Sequence, residues 1–125
     1  MDNSPGKNVI TADFAHTFAK HWIEAWNAHD LPAILSHYSE DFQMYSPYIA
    51  LIANEPSGIL KGKQLVAAYW AAALEKMPAL HFELLQVLVG VESVTIYYRG
   101  VRGLAAEVFF FNEHGLVAKA CAHYE

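Results

Sequence analysis

Glu107 is the only charged residue in Leu104-Ala105-Ala106-Glu107-Val108-Phe109-Phe110-Phe111. The run reads as a strand, whose faces alternate residue by residue, so Glu107 shares a face with Ala105, Phe109 and Phe111. An ionised carboxylate on an apolar face is costly unless it is paired, hydrogen-bonded or protonated. A buried carboxyl that keeps its proton is a hydrogen-bond donor or general acid. One tuned toward neutral pH can exchange protons in both directions. The plainer alternative is a carboxylate that faces solvent, or that hydrogen-bonds Trp22, a tyrosine or a histidine to satisfy the core. On the residues alone both readings stand.

The other reactive types form no comparable constellation. There are seven histidines, but His16 and His21 are five apart, a spacing that does not stack side chains on one helix face. No Cys-x-x-Cys or His-Glu-x-x-His pattern occurs, so no metal site is expected. Cys121 and His123 share one face of the last strand, while Ala120, Ala122 and Tyr124 share the other. No glycine-rich phosphate loop is present, and the expectation is a protein without a cofactor.

These residues need elements to position them. Phe14, Phe18, Trp22 and Trp26 recur every four residues, widened by Ala15, Ala19 and Ile23, and predict a helix over 11–28 with Thr11 as N-cap. Asp30 can cap a short second helix with Pro32 in its first turn, ending near 39–41. Residues 42–47 read as a strand stopped by Pro47, and 48–62 as a long loop of the kind that forms lids or binding elements. A third helix spans about 63–77 and is closed by Pro78. Four strands follow, at 81–89, 93–99, 104–112 and 116–124, with turns at Gly90, 100–103 and 112–115. The connections are too short for parallel crossovers, which predicts an antiparallel sheet. Three helices followed by a sheet give a single α+β domain over 11–125, with a disordered leader over 1–10.

The chain has 125 residues, 54% hydrophobic and 14% aromatic, which excludes a disordered protein and suits a dense core or an apolar cavity. A net charge of −5 argues against nucleic acid and against an anionic membrane surface as partners. One cysteine allows no intrachain disulfide and fits a reducing cytoplasm. The polar N-terminus has no apolar signal core, and the expected location is the cytoplasm.

Several segments together carry a family resemblance. They are Ala25-Trp26-Asn27-Ala28-His29-Asp30-Leu31, His37-Tyr38-Ser39-Glu40-Asp41-Phe42, Ser46-Pro47, Leu60-Lys61-Gly62-Lys63 and Phe109-Phe110-Phe111-Asn112-Glu113-His114-Gly115-Leu116-Val117. From about Phe14 to Tyr124 the chain resembles the nuclear transport factor 2-like superfamily. It looks closest to the SnoaL-like (polyketide cyclase-like) and ketosteroid isomerase-like branches. The resemblance implies a cone-shaped curved sheet packed against the three helices, a cystatin-like α+β barrel with a ligand site in the open end. Carried over residue by residue, the isomerase's base falls on Ser46, its oxyanion tyrosine on Trp22 and its protonated acid on Glu107. Only the last is a carboxylate. In ketosteroid isomerase an apolar site keeps the equivalent acid neutral so that it can donate a hydrogen bond. The resemblance also turns Ala122 and Tyr124 inward and leaves Cys121 and His123 on the outer face.

The expectation is therefore acid/base chemistry at Glu107 on a small apolar molecule: isomerisation, cyclisation, dehydration or epoxide opening. Trp22, Trp26, Tyr38, Met44, Ser46, Tyr69, Phe109 and Tyr124 are the expected substrate contacts. The alternative is a ligand-binding or structural domain of the same fold without chemistry. The resemblance implies a homodimer through the outer sheet face, where Val108, Phe110 and Cys121 are too apolar for a monomer's surface.

Overall fold

The computed structural model describes residues 10–125. The leader expected over 1–10 lies, apart from Ile10, outside the described residues. Helix α1 (Ala12–Asn27) starts where Thr11 Oγ1 accepts from Phe14 N at 3.0 Å, with Asp13 in the first turn where the helix dipole favours an acid. It buries Ala15, Phe18, Ala19, Trp22, Ala25 and Trp26, while Phe14 and Ile23 of the stripe read from the sequence are only half-buried. His29 leaves the helix with a positive φ of 56°.

Asp30 caps α2 (Leu31–Leu35) by accepting from Ala33 N. This helix stops before 39–41 because the chain enters the sheet earlier than expected. Val117 N donates to the His37 carbonyl, and Tyr38 pairs with Val117. Strand β1 therefore runs Tyr38–Tyr45.

The segment expected as loop 48–62 is structured. Ser46 caps a short helix α3 (Pro47–Ile52), with Pro47 in the first turn, where its missing N–H costs nothing. Ser46 N then donates to the Gly58 carbonyl, and the chain returns as β2 (Ile59–Lys61) along β1. Gly58 has a φ of +75°, and a side chain there would press on the Ser46 carbonyl. Helix α4 (Lys63–Lys76) buries Val66 and Trp70. The described residues thus hold four α-helices rather than three.

Strands β3 (Glu83–Gly90), β4 (Ser93–Gly100), β5 (Gly103–Phe111) and β6 (Val117–Tyr124) form an antiparallel meander. The order across the curved sheet is β2-β1-β6-β5-β4-β3, and β2 and β3 are its open edges. β1 and β6 pair in parallel, which corrects the all-antiparallel expectation. Short connections exclude parallel pairing only between consecutive strands, and these two are separated by most of the fold.

The inner face of this α+β sheet meets α1 and α4 through an aromatic core. Trp22, Tyr38, Phe42, Phe109 and Ile96 are among its largest fully buried side chains. Each contributes roughly 2 kcal/mol of transfer free energy.

Candidate functional site

Alternation along β5 decides where Glu107 points. Ala105, Glu107, Phe109 and Phe111 are buried, while Leu104, Ala106, Val108 and Phe110 face outward or are half-buried. Glu107 lies between Ile96 of β4 and Ala122 of β6 and is 4% exposed. Its inward neighbours Ala105 and Ala122 are small. The sheet therefore leaves space beside the carboxyl that larger side chains would fill.

That space is a cavity of about 140 Å³. Trp22 and Trp26 of α1, Trp70 of α4 and Phe82 form much of its wall, with Met44 and Tyr98. All three tryptophans of the chain line it. Ile52, Val101 and Arg102 line it too and are exposed, so they mark its mouth. Glu107 is the only acidic residue among the lining residues.

Asn27 at the end of α1 and His29 just beyond it hold this wall in place with three hydrogen bonds. Asn27 Nδ2 donates to the Phe82 carbonyl at 2.9 Å, and Phe82 N donates back to Asn27 Oδ1 at 2.7 Å. A His29 Nε2 contact to the Leu80 carbonyl at 2.9 Å fixes the same stretch. Phe82 thereby packs at 5.6 Å from both Trp22 and Trp26, ring centre to ring centre, and at 4.8 Å from Tyr98.

Burial pushes the Glu107 carboxyl up to about 8, and the Tyr98 hydroxyl offsets part of the rise by donating to Oε1 at 3.4 Å. The carboxyl is therefore mostly protonated at neutral pH. Burial raises Tyr98 and Tyr124 as well, and the nearby Glu107 charge adds to both. Tyr69 is raised by burial, partly offset by hydrogen bonding with Ser46 and by the charge of Arg102. These phenols all keep their protons at neutral pH, so the cavity holds several hydroxyl donors around one carboxyl.

The expected contact residues divide. Trp22, Trp26, Met44, Ser46, Tyr69 and Tyr124 line the cavity with Glu107. Tyr38 and Phe109 do not, which corrects their expected role. Tyr38 lies behind the wall, packed on Phe42 at 4.4 Å, and its hydroxyl accepts from Trp22 Nε1 at 3.0 Å. Phe109 shares the face of Glu107 but sits beneath α1, with Phe18 at 4.9 Å and Trp22 at 5.3 Å. Ser46 is inward, as the resemblance implies, yet its hydroxyl accepts from Tyr48 N at the start of α3. The Trp26 indole N–H is buried with no acceptor among the described residues.

Sequence reasoning missed Tyr98, Trp70, Phe82 and Arg102 as cavity residues. The signal for Tyr98 was present: Val94, Ile96 and Tyr98 alternate with Thr95, Tyr97 and Arg99, and the first set is buried. Among the described residues no group of His, Cys, Asp and Glu is arranged to hold a metal ion, and no helix is long and apolar enough to cross a membrane.

The SnoaL-like domain model matches residues 19–125. A SnoaL-like protein of unknown function from Burkholderia thailandensis is 57% identical, over 93% of this chain and 98% of its own, with a TM-score of 0.91. A nuclear transport factor 2-like protein of unknown function from Cytophaga hutchinsonii superposes with a TM-score of 0.67 at 15% identity, over 95% and 94% of the two chains. A protein described as a candidate isomerase of the SnoaL-like family, from Agrobacterium tumefaciens, does so with 0.68 at 19% identity, over 86% and 94%. At these lower identities the likeness is one of fold. No curated protein matches the chain in sequence.

Proposed function

This chain belongs to the SnoaL-like domain family, and from that premise we propose that it is a general-acid enzyme acting on an oxygen of a small, largely apolar molecule. The observation that carries the reading is a lone carboxyl, mostly protonated at neutral pH, in a tryptophan-lined cavity. Such a carboxyl donates to an oxygen on which negative charge develops, a carbonyl or an epoxide. Tyr98 holds Oε1, and no described residue hydrogen-bonds Oε2, which is left for the ligand.

In an isomerisation the proton count closes on this one group. Glu107 gives its proton to the carbonyl oxygen, and the carboxylate so formed takes the proton that leaves carbon, giving the enol and a protonated Glu107. Glu107 then delivers that proton to a different carbon and takes back the enol hydroxyl proton as the carbonyl re-forms, which returns the acid to its starting state. The family includes isomerases and cyclases, and the Agrobacterium tumefaciens relative described as a candidate isomerase agrees with this reaction type.

A second reading, binding without chemistry, is favoured by Ser46. Its hydroxyl is engaged in capping α3, and the cavity has no second carboxylate to act as a base. Glu107→Gln separates the two. As an enzyme the variant folds and binds ligand but turns over at least about a hundredfold more slowly on a substrate found by screening small cyclic ketones and epoxides. Unchanged turnover by the variant would refute the acid role.

A further inference from the structure

Arg102 sits in the β4–β5 turn at the cavity mouth and forms no ion pair among the described residues, whose pairs are Lys63–Glu40, Arg99–Glu83 and His114–Glu113. It is held in place all the same. Its guanidinium lies 4.5 Å from the centre of the Tyr48 ring, which packs on Tyr124 at 4.3 Å. Both tyrosines line the cavity. A guanidinium over an aromatic face keeps its in-plane N–H donors free for a planar oxyanion. Its charge is also felt at the Tyr69 hydroxyl in the cavity wall. Glu125, which lies beside Gly103, accepts from Leu104 N through Oε1. Flanking Arg102, the exposed Val101 and Ile52 are apolar. The mouth therefore offers one directed cation within an apolar rim.

The cavity thus has two polar poles. Glu107 lies four residues along β5 from Gly103, about 14 Å at ~3.4 Å per residue, and the lining they share is mainly aromatic and methionine surface with tyrosine hydroxyls. We propose that the ligand is a small apolar monoanion, a ring ketone with a carboxylate on a short arm. Its ketone oxygen reaches Glu107, and its carboxylate pairs with Arg102 at the mouth. This rests on the acid role of Glu107 and adds the ligand's charge and polarity.

Because every tryptophan of the chain lines the cavity, intrinsic fluorescence reports its occupancy. The probes are an oxocyclohexyl-propanoate and its methyl ester, titrated into the full chain at low salt. The acid is expected to bind about tenfold more tightly than the ester, the scale of one charge-assisted contact. Arg102→Gln removes that preference while leaving ester binding within about twofold, Arg102→Lys restores part of it, and added salt narrows it. Equal binding of acid and ester to the wild-type chain, binding of neither, or a preference that survives in Arg102→Gln overturns the proposal. Glu107→Leu is the separate arm. It is expected to weaken both probes equally, and unchanged affinity there defeats the Glu107 reading whatever Arg102 does.

Discussion

Tyr98 reaches Glu107 on the diagonal. The register partner of Glu107 across β4 is Ile96, while Tyr98 pairs with Ala105, one pleat nearer the mouth, and donates its hydroxyl to Oε1 at 3.4 Å. The acid is therefore held from the mouth side by a phenol that itself lines the cavity.

Burying an acid that keeps its proton leaves a thermodynamic trace. Glu107 titrates at about 8 in the fold, against about 4.5 for an unburied glutamate. Between those values the folded chain holds a proton that the unfolded chain has lost. Stability therefore falls as pH rises through this window, by up to about 1.4 kcal/mol per pH unit, and the contribution is flat on either side. Glu107→Gln is expected to abolish this slope and to be more stable than the wild type at the alkaline end. Urea midpoints across the window check this, and parallel profiles for the two proteins would contradict it.

Tyr98→Phe tests the diagonal contact. The phenol stabilises the ionised carboxylate, so its removal raises the Glu107 pKa beyond about 8. The alkaline limb of the pH–activity profile should move to higher pH by up to about one unit. A limb that stays in place, or moves to lower pH, counts against the contact.

Trp22→Phe would remove the donor to the buried Tyr38 hydroxyl and shrink the side chain packed between Phe82, Tyr98 and Phe109. An orphaned buried hydroxyl together with lost volume costs roughly 2–4 kcal/mol. Equilibrium denaturation measures it, and a loss under about 1 kcal/mol would mean that the indole N–H has no structural part.

On the outer face, Leu88, Thr95, Val108 and Cys121 form one continuous row across four strands. Phe110 beside them is 39% exposed, with Lys119 Nζ 5.6 Å from its ring centre. We propose that a second copy of the chain covers this row. Phe110→Asp is then expected to convert a dimer to a monomer in analytical ultracentrifugation, and a wild-type protein already monomeric at micromolar concentration would contradict the proposal.

Local periodicity made much of this fold legible. The four-residue recurrence of Phe14, Phe18, Trp22 and Trp26 marked the buried stripe of α1, and strand alternation turned Glu107 inward. Non-local features were hidden. Nothing near Tyr38–Tyr45 announces a parallel partner near the end of the chain. The helix after Ser46 escaped notice because Pro47 reads equally as a strand stop and as a helix start. In the candidate site, Arg102 reads in sequence as an ordinary turn residue, since its neighbour Tyr48 arrives from a distant element. Tyr38 and Phe109 were credited with ligand contact because facing inward is necessary for lining a cavity but not sufficient.

The parallel pairing of β1 with β6 also sets an order of events. Met44 and Ala120 become neighbours only when the last strand docks, and contacts so far apart in sequence form slowly. The β5–β6 hairpin is local and does not depend on that docking, but Glu107 holds a proton above the ordinary range only once the helices and the assembled sheet bury it. A nascent or partly unfolded chain therefore carries an ordinary, ionised glutamate. The acid is created by the assembled cavity, by the helix side chains above Glu107 as much as by the strands on either side of it.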